Sequence, residues 1–144
     1  MTRLNIDGKI IQCQSAPGRR LSEVLREELG LKSVKVGCDA GDCGACTVLV
    51  DGDQVCACLI PLAQAEGAEI ETLETAEPVL ANKLQAAFLD HGAAQCGICT
   101  PGMMMAAMEL LRANPEPSRG QVEVALAGVL CRCTGYAKIV DAVM

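Results

Sequence analysis

The chain has 144 residues, is 51% hydrophobic, and carries ten cysteines, one histidine, one phenylalanine, one tyrosine, no tryptophan and a net charge of −6. That apolar content builds a globular core and excludes a disordered chain. The acidic balance and the scarcity of aromatic rings argue against nucleic acid as a partner, because phosphate binding rests on Lys and Arg and base binding on stacking.

Leu4 and Ile6 alternate with polar residues, Asp7-Gly8 marks a tight turn, and Lys9 to Gln12 resumes the alternation, so the chain is predicted to open as a hairpin. Leu21, Val24, Leu25 and Leu29 share one face of a helix that Gly30 would cap. Thr47 to Val50, a turn at Asp51-Gly52-Asp53, and Val55 to Leu59 make a second hairpin, and Ala68 to Leu73 a last strand. These elements form a small mixed sheet with a helix across one face, an α+β domain. Near Ala76 the period changes. Leu80, Leu84, Ala87 and Phe88 have helical spacing, Thr100-Pro101 starts a helix, Ser118 to Gln121 is a capping box, and Ala137 to Val143 is a final helix. The expected division is residues 1–76 and 77–144, the second part a four-helix bundle. The uncharged stretch from Gly92 to Met108 contains Gln, Pro and several Gly and does not read as a membrane helix.

The cysteines carry the chemistry. Cys38, Cys43 and Cys46 read C-x4-C-x2-C, with a fourth cysteine following a hairpin, the plant-type ferredoxin spacing for a 2Fe-2S cluster. Gly37, Gly41 and Gly44 are interleaved with them, as a loop bending tightly around a cluster requires. The fourth ligand comes from the predicted strand Val55–Leu59, where Cys56 and Cys58 would share a face, and strand periodicity does not choose between them. Cys13 and the spare member of that pair suit a buried apolar role. A second set pairs Cys96-x2-Cys99, on a turn leading into a helix, with Cys131-x-Cys133 at a helix junction where Gly135 lets the chain break. Structural zinc is the competing use of four cysteines, although zinc sites usually combine two similar knuckles. The start of the chain lacks an apolar signal core, so clustered thiols are expected to work in the cytoplasm, as metal or redox groups rather than disulfides.

Taken together, Gly37 to Val48, Gln95 to Gly102 and Leu130 to Tyr136 resemble the small iron-sulfur subunit of the molybdenum hydroxylases, the xanthine dehydrogenase and aldehyde oxidoreductase family. The resemblance spans the whole chain. It implies a β-grasp, plant-type ferredoxin-like domain followed by a helical domain, each holding one 2Fe-2S cluster, and it selects Cys58, before Leu59-Ile60, as the fourth ligand of the first. The ligand sets it implies are Cys38, Cys43, Cys46 and Cys58, then Cys96, Cys99, Cys131 and Cys133. It further implies a large subunit with molybdopterin in its cytosine dinucleotide form, a medium subunit with FAD, and a dimer of heterotrimers. Gln95 would hydrogen-bond the pterin and Cys133 would touch it. Ile98, where relatives often have an aromatic ring, and Val129, where a polar residue is usual, depart from the pattern. Among other classes, a free two-cluster ferredoxin and a zinc-stabilised interaction module remain to be weighed. His91 stands alone beside a helix end, and Met103, Met104, Met105 and Met108 read as core filler. No nucleophile–base pair or phosphate loop is present, so this chain is expected to carry electrons and leave substrate chemistry to its partners.

Overall fold

The computed structural model describes all 144 residues. Two antiparallel hairpins form first: β1 (Thr2–Ile6) with β2 (Lys9–Cys13), and β3 (Thr47–Val50) with β4 (Asp53–Cys56). Both close through Asp-Gly turns whose residues have positive φ, the twist that two-residue hairpins need. Strand β5 (Glu69–Glu71) then inserts between them, parallel to β1 and antiparallel to β3, giving the sheet order β2-β1-β5-β3-β4.

The predicted first helix is shorter than its apolar pattern suggests. One α-helical turn, α1 (Leu21–Glu23), widens over Val24–Glu28 into a turn closed by Leu29 N–H to Val24 C=O at 3.0 Å. Leu21, Val24 and Leu25 stay buried on the sheet, while the Glu28 carboxylate receives the N–H groups of Gln14 and Ser15 and the Ser15 hydroxyl. The widened turn thus ties the end of β2 to the helix. The core beneath it contains Leu4, Ile6, Cys13, Val48, Leu62 and Ile70, so Cys13 takes the buried apolar role expected of it.

Four helices follow, as predicted: α2 (Pro78–Asp90), α3 (Thr100–Ala113), α4 (Arg119–Leu126) and α5 (Ala137–Val143). Ser118 and Gln121 form the expected capping box, and Glu77 caps α2 by accepting from Val79 and Leu80 N–H. Met103, Met104, Met105 and Met108 are all buried in the bundle core, and His91 ends α2 with Nδ1 2.9 Å from the Ala87 carbonyl. No helix is long and apolar enough to cross a membrane.

The two halves share their packing. In β3, Val48 faces the core under α1, whereas Leu49 belongs to the core of the helices. Strand β3 is therefore covered on both faces. Gln54, on β4, fastens the same face: its backbone N–H and side-chain amide donate to the Glu109 carboxylate at 3.2 and 2.5 Å, and the amide reaches the Ala125 carbonyl at 3.3 Å.

Candidate iron-sulfur sites

The first thiol set is built by a loop that turns its backbone N–H groups inward. Ala40, Asp42 and Cys43 each donate to Cys38 Sγ at 3.3 Å, and Ala45 donates to Cys43 Sγ at 3.4 Å. The N–H of Cys43 foremost, then those of Ala40 and Asp42, lowers the Cys38 thiol to about 7 by stabilising its thiolate. Cys46 lies at the other side of the loop, where burial pushes its thiol up to about 12 and Cys58 adjoins it. A bound metal would hold such thiols deprotonated together.

Side chains at two of its glycines would crowd the loop. A Cβ at Gly37 would stand 2.9 Å from Cys43 Sγ, and one at Gly41 only 2.3 Å from Leu59 Cδ1. Gly41 also has φ +78°, so its backbone calls for glycine, whereas the exposed Leu59 side chain could swing aside. Arg20 braces the outside, donating to the Asp39 carbonyl at 3.0 Å and pairing with the Asp39 carboxylate.

The predicted strand Val55–Leu59 ends at Cys56, and Ala57–Leu59 form a single 3-10 turn. The expected shared face of Cys56 and Cys58 is therefore absent. The strand stops because Ala57 N–H goes to the Cys46 carbonyl at 3.3 Å and Cys58 N–H to Cys46 Sγ at 3.5 Å. Cys58 is turned inward and buried, while Cys56 is half-buried with its thiol 3.9 Å from the Gly41 carbonyl.

The second set joins two segments distant in sequence. Cys96 and Cys99 precede α3, and Cys131 and Cys133 lie between α4 and α5, where Gly135 and then Tyr136 adopt positive φ. Tyr136, held in this unfavourable left-handed conformation, accepts the Cys131 N–H on its hydroxyl at 3.0 Å. The Thr134 hydroxyl donates to Cys131 Sγ at 3.1 Å and accepts from Tyr136 N–H. Burial raises the Cys131 thiol, but the Thr134 contacts outweigh it and the net shift is downward. Cys99 is pushed up to about 12 by burial and by Cys131 beside it, and Cys133 is raised by Cys96. Gln95 donates from Nε2 to the Cys133 carbonyl at 3.2 Å, so it clamps the two segments at the exposed edge of the set.

Cys46 adjoins both Cys56 and Cys58 and receives the Cys58 N–H, and Cys96, Cys99, Cys131 and Cys133 line one cavity. A 2Fe-2S rhomb takes its cysteines as a pair on each iron, and each set of four fits that need. All ten cysteines are free thiols in this structure. The two sites adjoin. A cavity of about 170 Å³ is lined by Cys96, Cys99, Cys131 and Cys133 together with Gly37, Cys43 and Ala45 of the first loop, and Leu130 N–H donates to the Cys43 carbonyl at 2.8 Å.

The structure sets Gln95 beside the second cysteine set and shows contacts of Arg20, Leu59, Thr134 and Tyr136 that their sequence positions alone did not assign. The available signals were faint: a lone tyrosine directly after Thr-Gly, and a basic pair ahead of the first helix.

Fold and donor sets together define a two-domain protein of the 2Fe-2S class. Residues 4–81 match the family described as 2Fe-2S iron-sulfur cluster binding domain, and residues 69–144 match the 2Fe-2S binding domain family. The chain is 49% identical over 141 residues to the nicotinate dehydrogenase small FeS subunit of Eubacterium barkeri, covering 97% of this chain and 90% of that protein. It is also 49% identical over 142 residues to the xanthine dehydrogenase iron-sulfur-binding subunit of Escherichia coli O157:H7, covering 96% and 89% respectively. The solved aldehyde oxidoreductase from Desulfovibrio desulfuricans superposes with a TM-score of 0.92 at 46% identity, over 99% of this chain but 16% of that longer one. The chain belongs to the iron-sulfur subunits of the xanthine dehydrogenase and aldehyde oxidoreductase family of molybdenum hydroxylases. It is an electron-transferring part of an oxidoreductase.

Proposed function

We propose that the chain carries electrons from a molybdopterin-bearing large subunit to FAD on a medium subunit. In this reading Cys96, Cys99, Cys131 and Cys133 hold the cluster nearer the molybdenum cofactor, in its cytosine dinucleotide form. Cys38, Cys43, Cys46 and Cys58 hold the cluster nearer the flavin. Bound clusters supply the one-electron steps that connect two-electron centres.

One observation carries this reading: each set has an exposed edge and a buried one, and the sets meet backbone to backbone at Cys43 and Leu130. Cys96 and Cys133 form the exposed edge of the second set, and Cys38 that of the first. Around the second edge Ile98, Leu130 and Tyr136 are 47%, 55% and 40% exposed. Apolar side chains gathered at an entry point favour a docked subunit over a free ferredoxin. Gln95, exposed beside Cys96, is the proposed pterin contact. The chain is proposed to divide near Ala76 and to work in the cytoplasm within a dimer of heterotrimers.

The test is the purified assembly. Iron and acid-labile sulfide should be present in equal amounts, and dithionite reduction should give two distinguishable electron paramagnetic resonance signals, since the two thiol sets give iron different surroundings. Zinc without sulfide, or a single signal of one spin per chain, would defeat the reading. Isolation of the chain alone, fully loaded with iron and reducing several unrelated enzymes, would instead establish a free carrier.

A further inference from the structure

We propose that Gly102, acting through Gly44, is a positioning residue that sets how closely the two iron-sulfur sites approach. The inference rests on the assignment of the two thiol sets made above.

Gly102 lies in the first turn of α3, three residues beyond Cys99, and it has no positive φ. Its backbone therefore does not call for glycine, and alanine would suit a helix better. Space is what excludes a side chain. A Cβ at Gly102 would stand 2.6 Å from the Gly44 carbonyl oxygen, 3.4 Å from Val129 Cγ1 and 3.6 Å from Ala45 Cα. Seen from the opposite side, a Cβ at Gly44 would be 2.1 Å from the Gly128 carbonyl oxygen and 2.9 Å from Val129 Cα. Gly102 thus faces the Gly44 carbonyl, and Gly44 in turn faces the Gly128–Val129 backbone, where the halves of the molecule meet.

This contact is flanked by ligand-bearing segments on both sides. Gly44 lies between Cys43 and Cys46, Gly102 follows Cys99, and Val129 precedes Cys131 by two residues. The neighbouring Leu130 to Cys43 hydrogen bond, 2.8 Å long, depends on the same close approach. A carbon facing a carbonyl oxygen settles at about 3.3–3.6 Å, so a methyl at Gly102 must open the junction by roughly 0.7–1 Å. The nearest opposing atom, the Gly44 carbonyl oxygen, is backbone and cannot rotate away. Opening separates the sites without touching a thiol. A single electron crosses this junction, leaving one site oxidised and the other reduced, with no bond made and no proton moved, so distance is the quantity that a spacer controls.

The experiment compares Gly102→Ala with wild type and with Gly120→Ala in the assembled complex. Gly120 also lies in the first turn of a helix, but a Cβ there meets nothing within 4 Å. In fully reduced wild type the two signals should show a mutual magnetic interaction, which weakens steeply as the centres separate. In Gly102→Ala that interaction should shrink and electron passage between the sites slow several-fold, with iron, sulfide and each signal's own g-values unchanged. Gly120→Ala should match wild type throughout. Wild-type interaction and rate in Gly102→Ala would overturn the proposal, as would loss of either cluster from that variant, because the role would then be folding rather than spacing. A wild-type protein lacking two iron signals would overturn the underlying assignment instead, a result visible before any variant is made.

Discussion

Cys56 and Cys58 are two residues apart, yet the chain treats them differently. Cys58 turns inward on a 3-10 turn against Cys46, while Cys56 remains half-buried at the strand end. Cys58→Ser should therefore disrupt the first cluster, and Cys56→Ser and Cys13→Ser should leave both intact, as read by iron content and visible absorption. Loss of iron from the Cys56 variant alone would reverse the assignment. Gln95 invites a second substitution. Its amide holds the Cys133 carbonyl at 3.2 Å and its position is exposed, so Gln95→Ala should slow reduction of the clusters by substrate while leaving iron content and flavin reoxidation nearly unchanged. In the assembly, where the proposed pterin contact would bury it, a hydrogen bond lost with its partner unsatisfied costs about 1–3 kcal/mol, roughly a 5- to 150-fold slowing if it acts in full on the rate. Stopped-flow reduction with metal analysis alongside checks this; wild-type kinetics would misplace the entry point. Residues of this kind were legible because thiols at fixed spacing signal their use locally. Arg20 and Tyr136 were not, since each acts on a segment that only the folded chain brings near.

Among the elements, the helix starts were the most legible, because capping is a local exchange between a side chain and the next turn. Ser118 accepts from Gln121 N–H, and the Gln121 side chain answers to Ser118 N–H. Ser118→Ala should cost about 1 kcal/mol of stability, seen as a lower denaturant midpoint with an unchanged slope. The start of α2 adds a pH dependence. The N–H of Leu80, then that of Val79, holds the Glu77 carboxyl below its ordinary value of 4.5. A group depressed on folding stabilises the native state above its unfolded value and loses that contribution as pH falls through its folded value. Stability should thus decline as pH drops below about 4.5, and Glu77→Gln should flatten that part of the profile. The elements that misled are those shaped by a partner: β4 stops where Cys46 captures the N–H of Cys58, and α1 widens where Glu28 is drawn to Gln14 and Ser15. Neither event has a local pattern.

Across the whole molecule, the change of period near Ala76 made two halves legible but gave no hint of how firmly they join. Leu49 explains why. Its alternation with Val48 reads as one ordinary face of a hairpin, yet it is 1% exposed because the helical half covers it. Gln54 with Glu109, and the Arg112–Glu71 pair at 2.8 Å, fasten the same junction, although the latter is partly exposed and contributes modestly. Leu49→Ala should therefore destabilise the protein by about 2–5 kcal/mol, the usual cost of emptying a buried leucine site. Because the cavity would lie in the helical core while the backbone belongs to the sheet, both halves should respond. Thermal unfolding followed by far-ultraviolet dichroism and by the visible absorption of the clusters should show the two traces shifting downward together. Divergent traces, with the sheet-domain cluster lost at a temperature where the helices persist, would mean that the halves unfold separately. The junction would then act as a contact between finished domains, and the covering of β3 on both faces would serve to position the clusters rather than to hold the fold together.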